Sequence, residues 1–587
     1  MRRRNISLAL LAGLLFALPL AAGRPNVILI LTDDQGYGDL SAHGNPALRT
    51  PNLDRLHSES IRFTDFHVTP MCTPTRAELM TGRDALASMA MNVSSGRTLL
   101  RRDIPTMAEI FRASGYRTAI FGKWHLGDNY PYRPEDRGFD ETVWFPSSHI
   151  GSAPDHWNND YFNDVYRHNG RPQRYEGYCT DVFFREAMRW IRARHAAGER
   201  FFVYLPLNAA HWPWFVPEKY RDSYRNLPPN LASYFGMIAN IDENVGRLEA
   251  MLRETGLRDD TILVFMTDNG GTVGVPFYNA GMRGRKITLW EGGHRVPFFL
   301  RWPGGGLEGG RNIDELTEVQ DVLPTLIELC GLKAPPGVRF DGMSLAPLLR
   351  GETDRLPDRI LVVQFSRMNV GRPEWSDAAV MWKKWRLLRL AELYNIADDP
   401  AQQRNVIAEH PEIATRLRAH YEKWWREVEP RLDTFLPVHI GSEKENPVLV
   451  SPCEWADVFF DQGLQVRRGV RRNGVWHILI EGSGRYRFTL RRWPKEVDVP
   501  MRAAVPAHDG EDGDYPAGVA LPVAEAALRV GGRVMRKPVG PEDREAIFTM
   551  NLNYGRTTMQ TWFYDEDGRE IAGAYYVYVE RLPASGK

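Results

Sequence analysis

The chain has 587 residues, of which 43% are hydrophobic and 25% are charged, values typical of globular proteins with a large core. Its 74 basic and 74 acidic residues cancel, so no overall field points to nucleic acid or to an anionic membrane as a partner. This length predicts two or three folding units, and any anion that the protein binds must be held by a local cluster of cations.

The first 23 residues have the three-part pattern of a secretory signal peptide. An arginine-rich start precedes an apolar run from Ile6 to Leu20, and small residues follow at 21–23. A transmembrane anchor is the alternative, but the run is short for a span and no second apolar stretch of that length follows. No cysteine follows the run, which argues against a lipoprotein anchor. We therefore expect an exported protein, periplasmic or secreted, with no stable membrane anchor.

Four short apolar runs predict strands that are buried on both faces of a parallel sheet. They do not alternate with polar residues, and they lie at 26–31, 116–121, 201–207 and 261–266. Helical patterns lie between them, among them 106–115 and 231–256. Strands that alternate with helices in this way predict a doubly wound α/β domain.

Polar side chains follow each of these runs, at the point where the predicted strand ends. Because ligands of open α/β sheets bind outside the carboxyl ends of the strands, we expect these side chains to converge on one edge. In chain order they are Asp33, Asp34, Lys123, His125, His211, Asp268 and Asn269. Their oxygens suit a hard cation such as Ca²⁺ or Mg²⁺ rather than zinc. In the alternative interpretation, such Asp and Asn residues only cap the next turn.

Basic residues are expected to complete this site as an anion pocket. The glycine-rich stretch 280–297 lacks the apolar period of a core element and carries three cations, Arg283, Arg285 and Lys286. A solvated basic loop is the alternative interpretation. Together with Arg76, Lys123 and a metal ion, these cations would hold a small, multiply charged anion, of which sulfate and phosphate esters are the natural candidates.

The chain contains only four cysteines, Cys72, Cys179, Cys330 and Cys453. They are far apart, with no metal-type spacing and no dense disulfide framework, although one or two disulfides stay open as an interpretation. An unpaired Cys72 in an oxidising compartment would be a liability unless it had a function or were modified.

Cys72 lies in the polar segment MCTPTRAELMTGR (71–83). Pro74 fits the first turn of a helix, and Thr73 or Cys72 fits its cap. The positive end of that helix, with Arg76 one turn on, predicts a thiol of lowered pKa and a nucleophilic cysteine. A nucleophile, a metal, an anion pocket and histidines for acid–base chemistry together predict ester hydrolysis.

The run Cys72-Thr73-Pro74-Thr75-Arg76, followed by Leu79 and Thr81-Gly82, resembles the signature of the formylglycine-dependent sulfatases, members of the alkaline-phosphatase superfamily. The resemblance covers 25–435, and the further motifs occur in family order: NVILILTDDQGYGD, GKWHLG (122–127), His211 with Pro213, TDNG (267–270) and Lys286-x-x-x-Trp290-Glu291-Gly292. In that family a maturation enzyme oxidises the cysteine of C-x-P-x-R to Cα-formylglycine. The resemblance therefore implies that Cys72 is a precursor and that a formylglycine-generating enzyme is a partner.

The resemblance also implies the cofactor set. One Ca²⁺ ion would be held by the formylglycine formed from Cys72 and by four oxygen donors, Asp33, Asp34, Asp268 and Asn269. The hydrated aldehyde at 72 would be the nucleophile that attacks the sulfur of the ester.

The remaining matches imply catalytic and substrate-binding roles. Arg76 would stabilise the aldehyde hydrate, and His125 would regenerate the aldehyde. Lys123 and Lys286 would hold sulfate oxygens. His211 would also contact the substrate, as the general acid on the leaving oxygen, for which a pKa near the working pH is favourable.

The fold that the resemblance implies is α/β and alkaline-phosphatase-like. A large, mostly parallel sheet flanked by helices would occupy 24–355, and a small C-terminal α+β subdomain would occupy 356–438, with a long helix at 411–430. From 439 to 587 the sequence alternates and carries Gly or Asp-Gly turns, which predicts an accessory antiparallel β module. A sandwich that braces the catalytic domain is favoured, with a sugar-binding face, or Trp493 at the border of the cleft, as the alternatives.

The polar, aromatic stretch 147–170 favours a sulfated carbohydrate as substrate, because aromatic rings stack on sugars while Asn, Asp and His bind hydroxyls. A surface excursion is the alternative interpretation. We therefore predict a sulfuric ester hydrolase of a sulfated carbohydrate. The alternatives are an arylsulfatase of small aryl sulfates, or a phosphonate monoester or phosphodiester hydrolase with the same site. A two-zinc phosphatase and an inactive glycan-binding protein are disfavoured by the residues present.

Overall fold

The computed structural model describes residues 23–369 and 371–583. The predicted signal peptide lies outside these residues apart from Gly23. Within the described part of the chain, no helix is both long enough and apolar enough to cross a membrane.

A ten-stranded sheet forms the centre of the N-terminal part. The four predicted strands are adjacent and parallel at its middle. From edge to edge the strands are Asn312–Ile313, Ile61–Phe63, Phe298–Arg301, Thr261–Thr267, Asn26–Thr32, Phe201–Pro206, Arg117–Lys123, Glu141–Phe145, Val165–His168 and Arg171–Arg174. Only Phe298–Arg301 and Val165–His168 run against the others. The prediction of a mostly parallel sheet is confirmed.

Helices cover both faces of this sheet, which explains why its central strands are apolar without alternation. In the strand that follows Pro25, Ile28 and Ile30 pack into one hydrophobic cluster, while Val27 and Leu29 pack into a second cluster on the opposite face. The first face is covered by the helices Pro51–Glu59, Cys179–Ala196 and Pro229–Glu254. The second is covered by Cys72–Thr81, Met107–Ala113, Val322–Cys330 and Ala346–Arg350. Shorter helices and a two-stranded sheet complete this part: Ala85–Ser88, Glu218–Arg221, Glu291–His294, and the strands Phe66–His67 and Thr317–Glu318.

A small antiparallel sheet and one helix follow in the chain. The strands are Leu361–Gln364, Ala378–Trp382, Trp385–Leu388 and Glu392–Asn395. The helix Pro411–Val428 packs on one face of this sheet. The other face joins a hydrophobic cluster that contains Met71 and Cys72, so the small sheet lies behind the cysteine.

The C-terminal module is a sandwich of two sheets around one hydrophobic core. One sheet contains Val438–Ile440, Trp476–Ile480, Gly555–Tyr564, Glu525–Val530, Arg533–Pro538 and Glu570–Ala572, and the other contains Val448–Val450, Tyr576–Arg581, Gly484–Arg491 and Ala546–Leu552. A short helix, Gly463–Arg467, precedes the second strand of the first sheet. Every strand pair is antiparallel except Val438–Ile440 with Trp476–Ile480. The suggestion that Trp493 borders the cleft is wrong, because its side chain is 1% exposed and belongs to the module's core.

Candidate active site

The carboxyl ends of two neighbouring central strands bring four oxygen donors together. Asp33 and Asp34 follow the strand that ends at Thr32, and Asp268 and Asn269 follow the strand paired with it. The Asp34 N–H donates to Asp268 Oδ1 at 3.2 Å, and Asn269 Nδ2 donates to Asp34 Oδ1 at 2.9 Å. All four side chains are buried. They therefore face one another across the two strands.

Cys72 is the first residue of a fully buried helix that points at these oxygens. The N-cap is Met71 and makes no side-chain cap, so the predicted cap at Cys72 or Thr73 is wrong by one or two residues. The Cys72 Sγ lies 3.5 Å from Asp33 Oδ1 and 3.4 Å from Asn269 Oδ1. The cysteine thus lies against both pairs of oxygen donors.

The predicted fall in the pKa of Cys72 is also wrong. Burial raises the pKa of this thiol, and the nearby carboxylates of Asp268 and Asp33 raise it further. The helix terminus is outweighed because a thiolate in this position would be desolvated and would face two negative charges. A thiol that stays protonated is a poor nucleophile, so an unmodified Cys72 is unsuited to that task.

Three cations balance the three carboxylates of the site. Arg76 Nη2 lies 2.8 Å from Asp268 Oδ2, and Arg76 is fully buried. Lys123 Nζ lies 2.5 Å from Asp33 Oδ2. Lys286 Nζ lies 2.5 Å from Asp34 Oδ1 and 3.4 Å from Cys72 Sγ. A divalent cation added to this balanced set would leave the site positive, which favours the binding of an anion.

The two predicted histidines lie in the same region. His125 Nε2 is 3.0 Å from the Val93 carbonyl, and its buried Nδ1 has no hydrogen-bond partner. His211 Nδ1 is 2.5 Å from the Trp212 carbonyl, and its Nε2 is 3.9 Å from Asp34 Oδ2. Burial lowers the pKa of both rings well below the usual range, and nearby lysines lower it further. The pKa of His211 therefore lies below the range near the working pH that general acid catalysis favours.

The site opens into a pocket of about 330 Å³. Cys72, His211 and Lys286 line it, together with Ser148 and His149 and with residues that the sequence did not single out: Trp212, Phe459, Asp461 and Gln462. Ser148 and His149 begin the stretch 147–170, which therefore reaches the pocket at one end. The last three come from the C-terminal module and belong to no motif, so only the tertiary structure brings them to the site.

Not every predicted residue joins this pocket. The Arg283 guanidinium stacks over the Trp290 ring at 4.1 Å, and its Nη1 donates to the Gln402 carbonyl at 2.9 Å. Arg283 therefore anchors its own loop, and its expected place in the anion pocket is wrong, whereas Arg285 does line the pocket. All four cysteines are free and buried, so the structure contains neither of the disulfides left open above.

The oxygen donors fit a hard divalent cation. Ligand atoms of Asp33, Asp34, Cys72 and Asp268 lie within 4.8 Å of one another, and Asn269 Oδ1 faces the same sulfur. Carboxylate and amide oxygens are the ligands that Ca²⁺ and Mg²⁺ prefer, and the thiol is the one poor match. An oxygen in place of the sulfur at 72 would complete a set of oxygen ligands.

Known proteins resemble the chain in sequence and in structure. A family model described as Sulfatase matches residues 25–332, and one described as N-sulphoglucosamine sulphohydrolase, C-terminal, matches 285–427. The N-acetylgalactosamine-6-sulfatase of Rattus norvegicus is 31% identical over 361 residues, which cover 56% of this chain and 67% of that protein. The ulvan-active sulfatase of Formosa agariphila is 30% identical over 428 residues, which cover 67% and 78%.

A solved structure shows the same similarity in three dimensions. The structure of Ps i-CgsB in complex with k-i-k-neocarrahexaose superposes with a TM-score of 0.63 at 27% identity, covering 68% of this chain and 92% of that one. The Sulfatase model spans more than half of the chain, and it includes every predicted site residue. The chain therefore belongs to the sulfatase family of the alkaline-phosphatase superfamily, and it is a sulfuric ester hydrolase.

Proposed function

We propose that the protein releases sulfate from a sulfated carbohydrate, using a Cα-formylglycine made from Cys72 and one Ca²⁺ ion. The observation that carries the proposal is the position of Cys72. Its sulfur lies among carboxylate, amide and ammonium groups, in a pocket that His211 also lines. The raised pKa of the thiol makes the cysteine itself a poor nucleophile, which supports its conversion.

The metal would be held by residue 72 and by Asp33, Asp34, Asp268 and Asn269. Bound there, the ion would supply Lewis acidity and positive charge toward a sulfate oxygen. Arg76 would keep the Asp268 carboxylate oriented through the contact at 2.8 Å. Lys123 and Lys286 contact the carboxylates of Asp33 and Asp34, so their ammonium groups lie beside the proposed metal site and would hold sulfate oxygens there.

The formylglycine, as its hydrate, would supply two hydroxyl groups. One would be the oxygen nucleophile, and loss of the proton of the other would re-form the aldehyde and release the sulfate. His125 is suited to accept the proton of that hydroxyl. Since its Nε2 faces the Val93 carbonyl, this nitrogen carries the hydrogen, and the unpartnered Nδ1 holds the free lone pair.

His211 would give a proton to the leaving oxygen of the ester. Its Nδ1 faces the Trp212 carbonyl and is therefore a donor, which leaves Nε2 as the nitrogen that would carry the transferable proton. Lys286 and Lys123 lower the pKa of His211, and a bound sulfate ester would offset their charge. The pKa of His211 should accordingly rise when the substrate binds, toward the range that general acid catalysis needs.

A sulfated carbohydrate is favoured by the pocket lining and by the relatives. Trp212 and Phe459 offer rings to a sugar face, and Ser148, His149 and Asp461 offer polar groups to hydroxyls. The names of both curated relatives refer to an amino sugar or to a polysaccharide. The alternative substrates that the test distinguishes are small aryl sulfates, phosphonate monoesters and phosphodiesters.

We also propose that the chain is exported and has three structural units. Residues 24–355 and 356–438 would form the sulfatase fold, and residues 439–587 would form the accessory module. Conversion of Cys72 would precede folding, because the folded protein exposes only 1% of this residue to a maturation enzyme.

The test is release of inorganic sulfate from a panel of sulfated mono- and oligosaccharides. The enzyme should have residue 72 confirmed as an aldehyde by peptide mass, with Cys72→Ala as the control. Sulfate release by the converted protein alone is the expected result. Turnover confined to aryl sulfates or phosphonates would contradict the carbohydrate assignment, and no turnover of any ester would contradict the proposed function as a whole.

A further inference from the structure

The C-terminal module forms one wall of the pocket through residues 459–463, here called the wall segment. Its backbone is bonded to the catalytic part at three places. The Phe460 N–H donates to Ser94 Oγ at 3.3 Å, the Ala153 N–H donates to the Asp461 carbonyl at 2.7 Å, and the Gly463 N–H donates to the Gly151 carbonyl at 3.1 Å. These hydrogen bonds of its main chain therefore fix the wall segment relative to the catalytic part.

Within the wall segment, Asp461 is also held by a contact inside the C-terminal module. Gln465 Oε1 accepts from the Asp461 N–H at 2.9 Å and from the Gln462 N–H at 3.0 Å, which starts the short helix behind the pocket. The bond from the Gln462 N–H is one half of a capping box, in which the Gln462 side chain accepts from the Gln465 N–H in return. The Asp461 main chain is thus held without use of its carboxylate.

The Asp461 carboxylate is buried but only half satisfied. Its Oδ2 accepts from Ser148 Oγ at 2.9 Å, while its Oδ1 has no hydrogen-bond partner. Asp461 is 5% exposed and lines the same pocket as Cys72 and His211. A buried carboxylate oxygen without a donor is costly, so Asp461 Oδ1 is suited to accept a hydrogen bond from a ligand in the pocket.

The same carboxylate is connected to the leaving-group side of the site. Ser148 Oγ lies 2.8 Å from His149 Nδ1, and the His149 ring stacks on the His211 ring at 5.2 Å between centroids. Because the single Ser148 hydrogen goes to Asp461, His149 Nδ1 donates to Ser148 Oγ. A group bound at Asp461 would therefore lie beside the part of the substrate that His211 contacts.

We propose that Asp461 binds a hydroxyl or amide N–H of the sugar ring that carries the scissile sulfate, and that it excludes rings with a second anionic group at that place. The inference rests on the proposed function. An ionised carboxylate only accepts hydrogen bonds, so it selects a donor. Burial raises the pKa of Asp461 to about 6, which leaves the group mostly ionised at neutral pH. A sulfate or carboxylate brought next to it would place two negative charges together in a desolvated pocket.

The discriminating experiment compares two substrates on converted enzyme. One is a monosulfated sugar with a free neighbouring hydroxyl, chosen as the best substrate of the panel, and the other is 4-nitrophenyl sulfate, which offers no such donor. Asp461→Ala should lower kcat/KM for the sugar sulfate ten- to a hundredfold and change that for the aryl sulfate less than twofold. Asp461→Asn, which keeps the shape, should lose sugar turnover to a smaller extent and gain turnover of a sugar with a second sulfate.

A matched control lies four residues earlier in the module. Asp457 pairs with Arg97 at 3.0 Å across the same interface but does not line the pocket, so Asp457→Asn should leave both substrates unchanged. Equal losses on both substrates in the Asp461 variants, or full retention of sugar turnover, would overturn the inference. Should Asp461→Ala fold poorly, the ratio of kcat/KM for the sugar sulfate to kcat/KM for the aryl sulfate is measured in Asp461→Asn. This ratio should be lower than in the wild type, and an unchanged ratio would overturn the inference. Absence of sugar turnover by the wild-type protein would instead contradict the proposed function, and the inference with it.

Discussion

Arg386 lies in the strand Trp385–Leu388 and joins its small antiparallel sheet to the segment that carries Lys286. Replacing Arg386 is expected to destabilise the protein strongly. Its guanidinium is fully buried, with Nε 2.7 Å from Glu291 Oε1 and Nη2 2.7 Å from Asp65 Oδ1. Glu291 begins the turn that directly follows the Lys286 loop. Loss of Arg386 should therefore also loosen the lysine that contacts Cys72.

Arg386→Met removes the charge and keeps much of the volume. It would leave two carboxylates buried, although Asp65 keeps Lys384 at 3.1 Å and Glu291 keeps Arg295 at 3.6 Å. Breaking a buried pair by removing one partner costs about 3–5 kcal/mol, and we expect a loss in that range. Burial alone would raise the pKa of Glu291, but Arg386 holds it at about 2.

The sign of the pH dependence follows from that depressed pKa. In the wild-type protein the ionised Glu291 contributes stability above its unfolded pKa of about 4.3, and this stability is lost only as the pH falls toward 2. In the Arg386→Met variant the pKa of Glu291 rises, so ionisation of Glu291 costs folding free energy as the pH increases. The difference in the free energy of unfolding between wild type and variant should therefore be larger at pH 7 than at pH 5.

The assay is denaturant unfolding at both pH values, read from the midpoint of the first transition, with sulfate release measured on the same samples. Arg386→Met/Glu291→Gln should recover part of the loss, because one of the two stranded charges is gone. Arg416→Met, which removes an exposed pair with Asp358, is the control and should shift the midpoint little. An Arg386→Met midpoint equal to that of Arg416→Met at pH 7 would show that the buried ion pairs of Arg386 do not stabilise the protein.

Three further predictions concern the leaving group, the metal and the module interface. His211→Ala should lower turnover of a sugar sulfate at least tenfold more than that of an activated aryl sulfate, since only the poor leaving group needs the proton; equal losses in kcat would contradict the assigned role. Added Ca²⁺ should raise the Tm, by the equivalent of about 2.7 kcal/mol at a hundred times Kd, and Asp268→Asn should abolish the rise; an unchanged wild-type melting curve would exclude the metal site. Glu454 is buried against Thr98, and burial raises its pKa to about 8, so its ionisation costs stability as the pH rises from 5 toward 8. Glu454→Gln should gain stability over wild type through that window, by up to about 1.4 kcal/mol per pH unit, and a difference in Tm that is constant with pH would count against this.

Local pattern was enough to predict the sheet and the edge at which its polar side chains meet. Continuous apolar runs are diagnostic of strands covered on both faces, and the structure shows why: alternate residues such as Ile28 and Leu29 enter separate clusters. The polar residues after those runs meet because parallel strands end at the same edge, which a sequence can reveal without any long-range contact.

The electrostatics of the site could not be read from the sequence. A helix start at Cys72 is visible in the motif, but two effects of the tertiary structure reverse the expected pKa: burial of the thiol, and the carboxylates of Asp268 and Asp33 that other strands bring beside it. The sequence likewise predicts that Arg283 is a cation of the pocket, and only the structure shows that it stacks on Trp290 instead. The wall segment was missed for a related reason: Asp461 lies almost 400 residues from Cys72 and is brought to it only by the packing of the module.

In the mechanism proposed above, the residue formed from Cys72 performs sulfate ester hydrolysis. The most direct measurement is the initial rate of sulfate release as a function of the fraction of residue 72 converted to aldehyde, determined by peptide mass on preparations with graded conversion. We expect a straight line through the origin, with no sulfate release by the unconverted protein. A rate that is independent of conversion, or that persists in Cys72→Ala, would contradict this mechanism.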